Sequence, residues 1–244
     1  MKLYGNTILI TGGGSGIGLA LAELFLNRGN TVIICGRRRD RLQAAKKRLP
    51  GLNVRVCDIS KPRARAGLVT WLTSRFKGLN ILVNNAGIQR PIDFLKGRRH
   101  LSDADEEVAT NLTAPIHLFA LLIPHLRRKK EAAIINISSG LAFTPLAAVP
   151  VYCATKAAIH SLSLCLRHQL QKTSVRVFEV APPMVATKLS GTRHRPDEDE
   201  DIMSSQAVAA GIIDALDKDH YEVALGAAAH LRAQREKLFA AINQ

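Results

Sequence analysis

Tyr152 and Lys156 in the run Tyr152-Cys-Ala-Thr-Lys156 are four residues apart, so on a helix they share one face. A tyrosine hydroxyl ionises near pH 10, too high to exchange protons readily at neutrality. A neighbouring ammonium favours the phenolate and lowers that value. Such a pair can act as general acid and base, although a Tyr–Lys pair at this spacing also arises by chance. A second group lies near the amino end, in Thr11-Gly-Gly-Gly-Ser-Gly-Ile-Gly18. Gly12, Gly14, Ser15, Gly16 and Ile17 are its candidate binding residues. Glycines let the backbone turn tightly and approach a pyrophosphate, whose charge meets the free N–H groups and positive end of the following helix. The spacing is Gly-x-x-x-Gly-x-Gly rather than Gly-x-Gly-x-x-Gly, so its position between a strand and a helix carries the reading.

A dinucleotide site selective for the unphosphorylated ribose usually presents an acid about 20 residues further on. That place reads Cys35-Gly36-Arg37-Arg38-Arg39. A carboxylate would repel a 2′-phosphate, whereas a guanidinium pairs with it bidentately. Arg37 and Arg38 therefore favour NADP(H), with NAD(H) still accommodated; the alternative is that they merely open a solvated helix. Asp58 either hydrogen-bonds an adenine amino group or caps the next helix.

Positioning these residues requires alternating elements. Strands are predicted at residues 7–11, 31–35, 53–57, 79–84, 133–138, 175–180 and 221–225. Helices are predicted at 16–29, 38–49, 62–76, 152–171 and 205–216, with a helix-rich stretch before residue 133 and a last helix at about 228–242. Helices of 10–15 residues between strands point to βαβ units and a parallel sheet. The strands are Ile/Val-rich and barely alternate, as expected when both faces are covered. The expected fold class is α/β: one doubly wound Rossmann domain over 1–244, with a seven-stranded parallel sheet flanked by helices on both faces. A lid is expected at about 188–204, containing the acidic run Asp197–Asp201, read as a solvated surface loop.

The chain has 244 residues, 47% of them hydrophobic, and a net charge of +14. That is too apolar for disorder and long enough to bury a core without staples. The apolar stretch Leu112–Leu126 is interrupted by Pro115, His117, Pro124 and His125 and is shorter than a membrane span of about 20 residues. No secretory signal is evident at the start. The four cysteines have no metal-ligand spacing and read as reduced thiols. The expectations are a cytoplasmic location, no metal and no membrane. The basic residues are scattered over several helix faces, and aromatics are 5% of the chain, which argues against a specific nucleic-acid partner.

In order and spacing, Thr11-Gly-Gly-Gly-Ser-Gly-Ile-Gly18, Asn84-Asn85-Ala86-Gly87, Asn111, Ser139 and Tyr152-Cys-Ala-Thr-Lys156 together resemble the short-chain dehydrogenase/reductase family. Within it, the runs VIICGRR, ILVNNAGIQ and APPMVAT look like the bacterial DltE-type oxidoreductases, a name that marks a gene neighbourhood rather than a reaction. The resemblance implies a catalytic set of Asn111, Ser139, Tyr152 and Lys156. In it Ser139 binds the substrate oxygen, Asn111 holds a relay water, and Lys156 also binds the nicotinamide ribose. It further implies cofactor contacts from Asn85, Ala86, Gly87, Tyr152, Pro182, Val185 and Thr187. Pro183 replaces the family's glycine, which removes an N–H and fixes φ.

The expected function is an NADP(H)-dependent oxidoreductase moving a hydride between nicotinamide and a ketone or secondary alcohol. The alternative is a cofactor-binding regulatory protein on the same fold. Expected partners are a small carbonyl or alcohol substrate and further copies of the chain, as homodimer or homotetramer. Leu141, Phe143 and Leu146 either line an apolar substrate pocket or pack the core; Gln89 and Pro183 border it.

Overall fold

The computed structural model describes residues 1–187, 189 and 202–244. The lid expected at 188–204 and the acidic run 197–201 therefore lie outside the described residues, apart from Leu189 and Ile202–Ser204. Seven parallel strands form one sheet. They are β1 (Thr7–Thr11), β2 (Thr31–Gly36), β3 (Asn53–Val56), β4 (Leu79–Asn84), β5 (Ala132–Ile137), β6 (Val175–Ala181) and β7 (Glu222–Ala224). The crossovers are α1 (Gly16–Leu26), α2 (Arg39–Arg48), α3 (Pro62–Arg75), α4 (Leu101–Val108), α5 (Ala114–Leu126), α6 (Pro150–Leu170) and α7 (Ser205–Asp217). The spatial order β3-β2-β1-β4-β5-β6-β7 reverses between β1 and β4. In such sheets a ligand crevice opens beyond the carboxyl ends of the strands at the reversal. This is the expected seven-stranded doubly wound fold.

Alternate strand residues enter two separate cores. Ile8, Ile10, Val32, Ile34, Val83, Ile135 and Val180 pack with Leu21 and Phe25 of α1 and Val208 and Ile212 of α7. Their neighbours Leu9, Ile33, Leu82, Ile134 and Val177 pack with Leu68 and Leu72 of α3, Leu118 and Leu122 of α5, and Leu166 of α6. Both faces are covered, which is why the strands read as nearly continuous apolar runs.

Between α4 and α5 the helix widens into a single π turn, Ala109–Thr113, where the Ala114 N–H bonds to the Ala109 carbonyl. Pro115 has no N–H to give the carbonyl four residues earlier, that of Asn111, so the ordinary helical ladder cannot continue there. The helical run Phe94–Leu126 contains a window long and apolar enough to cross a membrane by length and composition alone. Its residues Ala114, Leu118, Leu122 and Leu126 are instead fully buried against the sheet.

The single last helix expected over 228–242 is broken. It comprises α8 (Ala227–Gln234), a 3-10 turn at Arg235–Leu238 and a short α9 (Phe239–Ile242). Arg235 takes a left-handed φ of 51°. The reason is tertiary: the Thr144 hydroxyl lies 3.1 Å from the Leu231 carbonyl and 2.9 Å from that of Arg235, satisfying acceptors exposed by the break.

At the amino ends of the strands, three asparagines tie the sheet together. Asn30 Oδ1 accepts from the Asn6 backbone and side-chain amides at 2.9 and 3.0 Å, and Asn80 Nδ2 donates to Asn6 Oδ1 at 2.9 Å. Asn30 Nδ2 also donates to the Phe25 carbonyl at 2.7 Å. Asn30→Ala strands these buried groups and is expected to cost about 1–3 kcal/mol. Calorimetry should show a melting temperature lower by several degrees; an unchanged midpoint would show the network to be dispensable.

Candidate active site

The sequence-predicted loop segments leave the carboxyl ends of strands, while Asn111 lies in the π turn and Tyr152 and Lys156 lie on α6. The glycine-rich turn follows β1, Arg37 and Arg38 follow β2, Asp58 follows β3, Asn85–Gly87 follow β4, Ser139 follows β5, and Pro182–Thr187 follow β6. The turn after β1 is joined to the segment after β4 by direct bonds. Thr11 Oγ1 accepts the backbone N–H groups of Asn85 and Ala86, both at 3.1 Å, and Asn85 Nδ2 donates to the Thr11 carbonyl at 2.9 Å. Gly12 has φ +68°, and a Cβ there would sit 2.8 Å from the Ala86 backbone, so only glycine fits.

Ser15 is the N-cap of α1, makes no capping bond through its side chain, and is followed by no acid in the first turn. The helix end therefore keeps free N–H donors, the requirement for holding a phosphate. Gly14 and Ile17 border the same turn, and a Cβ on Gly16 would come within 3.1 Å of Thr187. Thr187 thus closes over the turn. Val185 forms an isolated bridge with Met203, while the Pro182 carbonyl accepts from the Gly140 N–H at 3.0 Å.

The two arginines diverge. Arg38 Nη2 lies 3.5 Å from the Ser15 hydroxyl, beside the turn. Arg37 is ion-paired instead with Glu106 of α4, which Arg90 also contacts. Asp58 Oδ1 accepts from the Ser60 backbone and hydroxyl at 3.0 and 2.7 Å, which makes that oxygen a turn cap.

Asn111, Ser139, Tyr152 and Lys156 are all buried, and the structure brings them into one neighbourhood. Asn111, in the π turn, clamps Ile88 by accepting from its N–H at 2.9 Å and donating to its carbonyl at 2.8 Å. Its amide also donates to Thr155 Oγ1 at 3.3 Å. A Cβ on Gly87 would meet Asn111 Oδ1 at 3.5 Å and Lys156 Nζ at 3.7 Å, so the β4 segment, the π turn and α6 converge there. Ser138 turns away and bonds to Val180 of β6. The Ser139 hydroxyl instead accepts the Leu141 N–H at 3.1 Å, and it acts on Tyr152 in the direction that favours ionisation of the phenol.

One expectation is corrected. Lys156 does not draw the Tyr152 pKa below its ordinary value. Its Nζ donates to the Ile137 carbonyl at 2.8 Å and lies 5.5 Å from the phenol ring centroid. Burial dominates both groups: it raises the Tyr152 pKa and pushes Lys156 down to about 8, with Glu179 partly opposing the second effect.

Glu107 was not anticipated from the sequence. It lies one helical turn before Asn111, is fully buried, accepts from the Arg90 N–H through Oε1 and leaves Oε2 without a partner. Burial raises its pKa to about 7, against the pull of Arg90 and with a push from Asp103 and Glu106. Its position four residues from a candidate catalytic residue, on the same helix face, was the available signal.

Comparison with known proteins gives consistent matches. Residues 6–198 match the family model described as short chain dehydrogenase. The chain is 55% identical over 190 residues to "Uncharacterized oxidoreductase DltE" of Bacillus subtilis, covering 78% of this chain and 75% of that protein. It superposes on a short-chain dehydrogenase from Sphingobium yanoikuyae in complex with NADPH with TM-score 0.82 and 26% identity, covering 98% of this chain and 97% of that one. A 3-ketoacyl-(acyl-carrier-protein) reductase from Brucella melitensis complexed with NADH gives TM-score 0.83 and 25% identity, covering 92% and 98%.

The raised Glu107 pKa has a consequence for stability. Between its ordinary 4.5 and about 7 the folded chain holds a proton that the unfolded chain has released. Stability from this site is complete below the lower value and is lost as pH rises through the upper one. Glu107→Gln should flatten that decline when melting temperature is followed from pH 4.5 to 8. An unaltered slope would overturn the assignment.

Proposed function

The chain belongs to the short-chain dehydrogenase family, and on that premise we propose that it transfers a hydride between NADP(H) and an apolar ketone or secondary alcohol, with Tyr152 exchanging the proton. The observation that carries this reading is the convergence of Asn111, Ser139, Tyr152 and Lys156 beside a glycine cradle at the sheet's reversal point. The family acts as an NAD(P)-dependent oxidoreductase on CH–OH groups. When bound, the nicotinamide supplies the hydride; position and protons come from the protein.

The cradle fits a dinucleotide. Gly12, Gly14, Ser15, Gly16 and Ile17 would hold the pyrophosphate, and Asn85, Ala86 and Gly87 would line the central part of the cofactor. Tyr152 and Lys156 would hold the ribose, and Pro182, Val185 and Thr187 the carboxamide. Asp58 retains a second carboxylate oxygen for the adenine edge. Ser139 orients the substrate oxygen toward the phenol. Tyr152 donates its proton to that oxygen during reduction and takes it back during oxidation. Asn111, by clamping Ile88 and reaching Thr155, keeps the π turn open next to Lys156 and so supports the proton path.

The substrate character is read from a cavity of about 680 Å³ next to this group. Leu141, Phe143 and Leu146 line it with Ile92, Phe94 and Phe239, and Leu141, Leu146 and Cys153 also belong to the apolar cluster that contains Tyr152. Among the described residues its charged lining residues are the acids Asp93, which pairs with Lys96 at 3.3 Å, and Glu236. An apolar wall with carboxylates favours neutral ketones and repels keto acids. The assembly we assign is a homodimer or homotetramer, supported by Leu121 of α5 and Leu164 of α6, both exposed. The four free thiols, three of them buried, support a cytoplasmic location.

The test is a panel of neutral and carboxylated ketones followed at about 340 nm, the usual nicotinamide absorbance. Neutral bulky ketones should exceed matched keto acids at least about tenfold in kcat/KM, and Tyr152→Phe should abolish turnover although NADPH still binds. Retained turnover in that variant would refute Tyr152 as proton donor.

NADP preference is assigned to Arg38 first and Arg37 second, because Arg37 must leave Glu106 to reach a 2′-phosphate. Arg38→Asp should weaken NADPH binding by more than about tenfold with little change for NADH, measured by fluorescence titration. Equal losses for both cofactors would sink that assignment.

A further inference from the structure

Beneath α6 a row of polar residues crosses the sheet. Asn84 of β4 is in register with Asn136 of β5, Asn136 with Glu179 of β6, and Glu179 with Glu222 of β7. Registered partners on parallel strands point to the same face, here the face covered by α6. Asn84 Nδ2 donates to Asn136 Oδ1 at 3.0 Å, and Asn136 Nδ2 donates to Ser163 Oγ at 2.9 Å. Glu179 is the one member of the row that is both fully buried and ionisable. A carboxylate in that layer is costly unless a cation answers it.

α6 supplies two basic groups on the face that carries Tyr152. Residues 152, 156 and 160 follow one another at four-residue spacing. His160 Nδ1 lies 2.9 Å from Glu179 Oε2. One turn earlier, Lys156 Nζ bonds the carbonyl of Ile137, whose partner in register is Val180, the residue after Glu179. Glu179 Oε1 has no partner of its own. We propose that Glu179, held by His160, is a positioning residue for the reaction, its carboxylate serving as the buried counter-charge that keeps the Lys156 ammonium charged and in place. This rests on the reading that Lys156 serves as a catalytic lysine.

The surrounding charges are few. Beside Glu179 are His160 from α6 and Glu222 from β7, and its charge acts on Lys156 of α6. His160, Glu179 and Glu222 each bring one ligand-type atom within 4.8 Å of the others, a spacing that also suits a metal ion. Arg232, however, donates to Glu222 through Nε and Nη2 at 2.7 and 2.6 Å, so the cluster already contains its cation. Facing Lys156 are Tyr152 and Glu179, while Glu107 acts on Tyr152 from α4. Glu179 is the charge that opposes the effect of burial on Lys156.

The experiment is a titration of Lys156 in the full-length protein labelled with 13Cε-lysine, its resonance assigned with Lys156→Arg. Glu179→Gln should lower the Lys156 midpoint by about one pH unit, a tenfold loss in proton affinity. Glu179→Asp, which keeps the charge but withdraws it by one methylene, should lower it less and covers the case in which the glutamine variant does not fold. In the folded variants, the alkaline limb of kcat should move to lower pH with KM unchanged. A Lys156 midpoint unmoved in both folded variants would overturn the proposal. The titration reads Lys156 directly, so a wild-type protein that reduced no ketone would refute the proposed reaction without deciding the role of Glu179.

Discussion

Where β1 and β4 part, one hydroxyl holds the crevice in shape. Thr11 Oγ1 accepts two consecutive backbone N–H groups, from Asn85 and Ala86, while the Asn85 side chain returns a bond to the Thr11 carbonyl. The parting itself follows from topology, because crossovers leave β1 and β4 toward opposite sides. The bonds set how far apart the two walls stand. With the walls at this separation, Gly12 lies against Ala86, and Gly87 reaches the neighbourhood of Asn111 and Lys156. The glycine turn and the buried group around Asn111 and Lys156 are thus parts of one rigid edge.

The chemistry at that edge is governed by burial as much as by neighbouring charge. Tyr152 and Lys156 are both almost completely enclosed, and enclosure disfavours both phenolate and ammonium. Ser139 works against that penalty at the phenol, and Glu179 works against it at the ammonium. The polar row beneath α6 is therefore tied to the site above it: a mostly hydrophobic sheet carries charge where the helix needs it. Gly140 extends the same logic to the C-terminal region. A Cβ on it would lie 2.9 Å from Ala228 and Leu231, so α8 seats directly on the turn that presents Ser139.

Much of this was legible in the chain. The strand at Thr7–Thr11 and that at Leu79–Asn84 agree with the structure to the residue, because Gly, Pro and Asn punctuate short apolar runs. Ser139 was marked by the family resemblance, and in the structure its neighbour Ser138 turns away to Val180. Less legible were residues whose role depends on distant partners. Glu107 looks like one more acid in the polar run Asp103–Glu107, and only the packing of α4 against α6 encloses it. Glu179 was the stronger missed clue, since a lone carboxylate inside Val175–Ala181 contradicts an otherwise buried strand. Arg37 and Arg38 were indistinguishable by type and position, yet Glu106, some 69 residues away, takes one of them.

The sequence by itself determined the doubly wound order of elements, the glycine turn and the four-residue spacing of Tyr152 and Lys156. These depend on local periodicity, steric freedom at glycine and helical geometry, all of which are encoded within a few neighbouring residues. Only the tertiary structure decided that Lys156 bonds to Ile137, that Arg38 rather than Arg37 stands at the turn, and that the last helix breaks at Arg235. It also placed Glu179 opposite His160. Those outcomes arise from desolvation and pairing between groups far apart in the chain, and such energies exist only once the layers have closed.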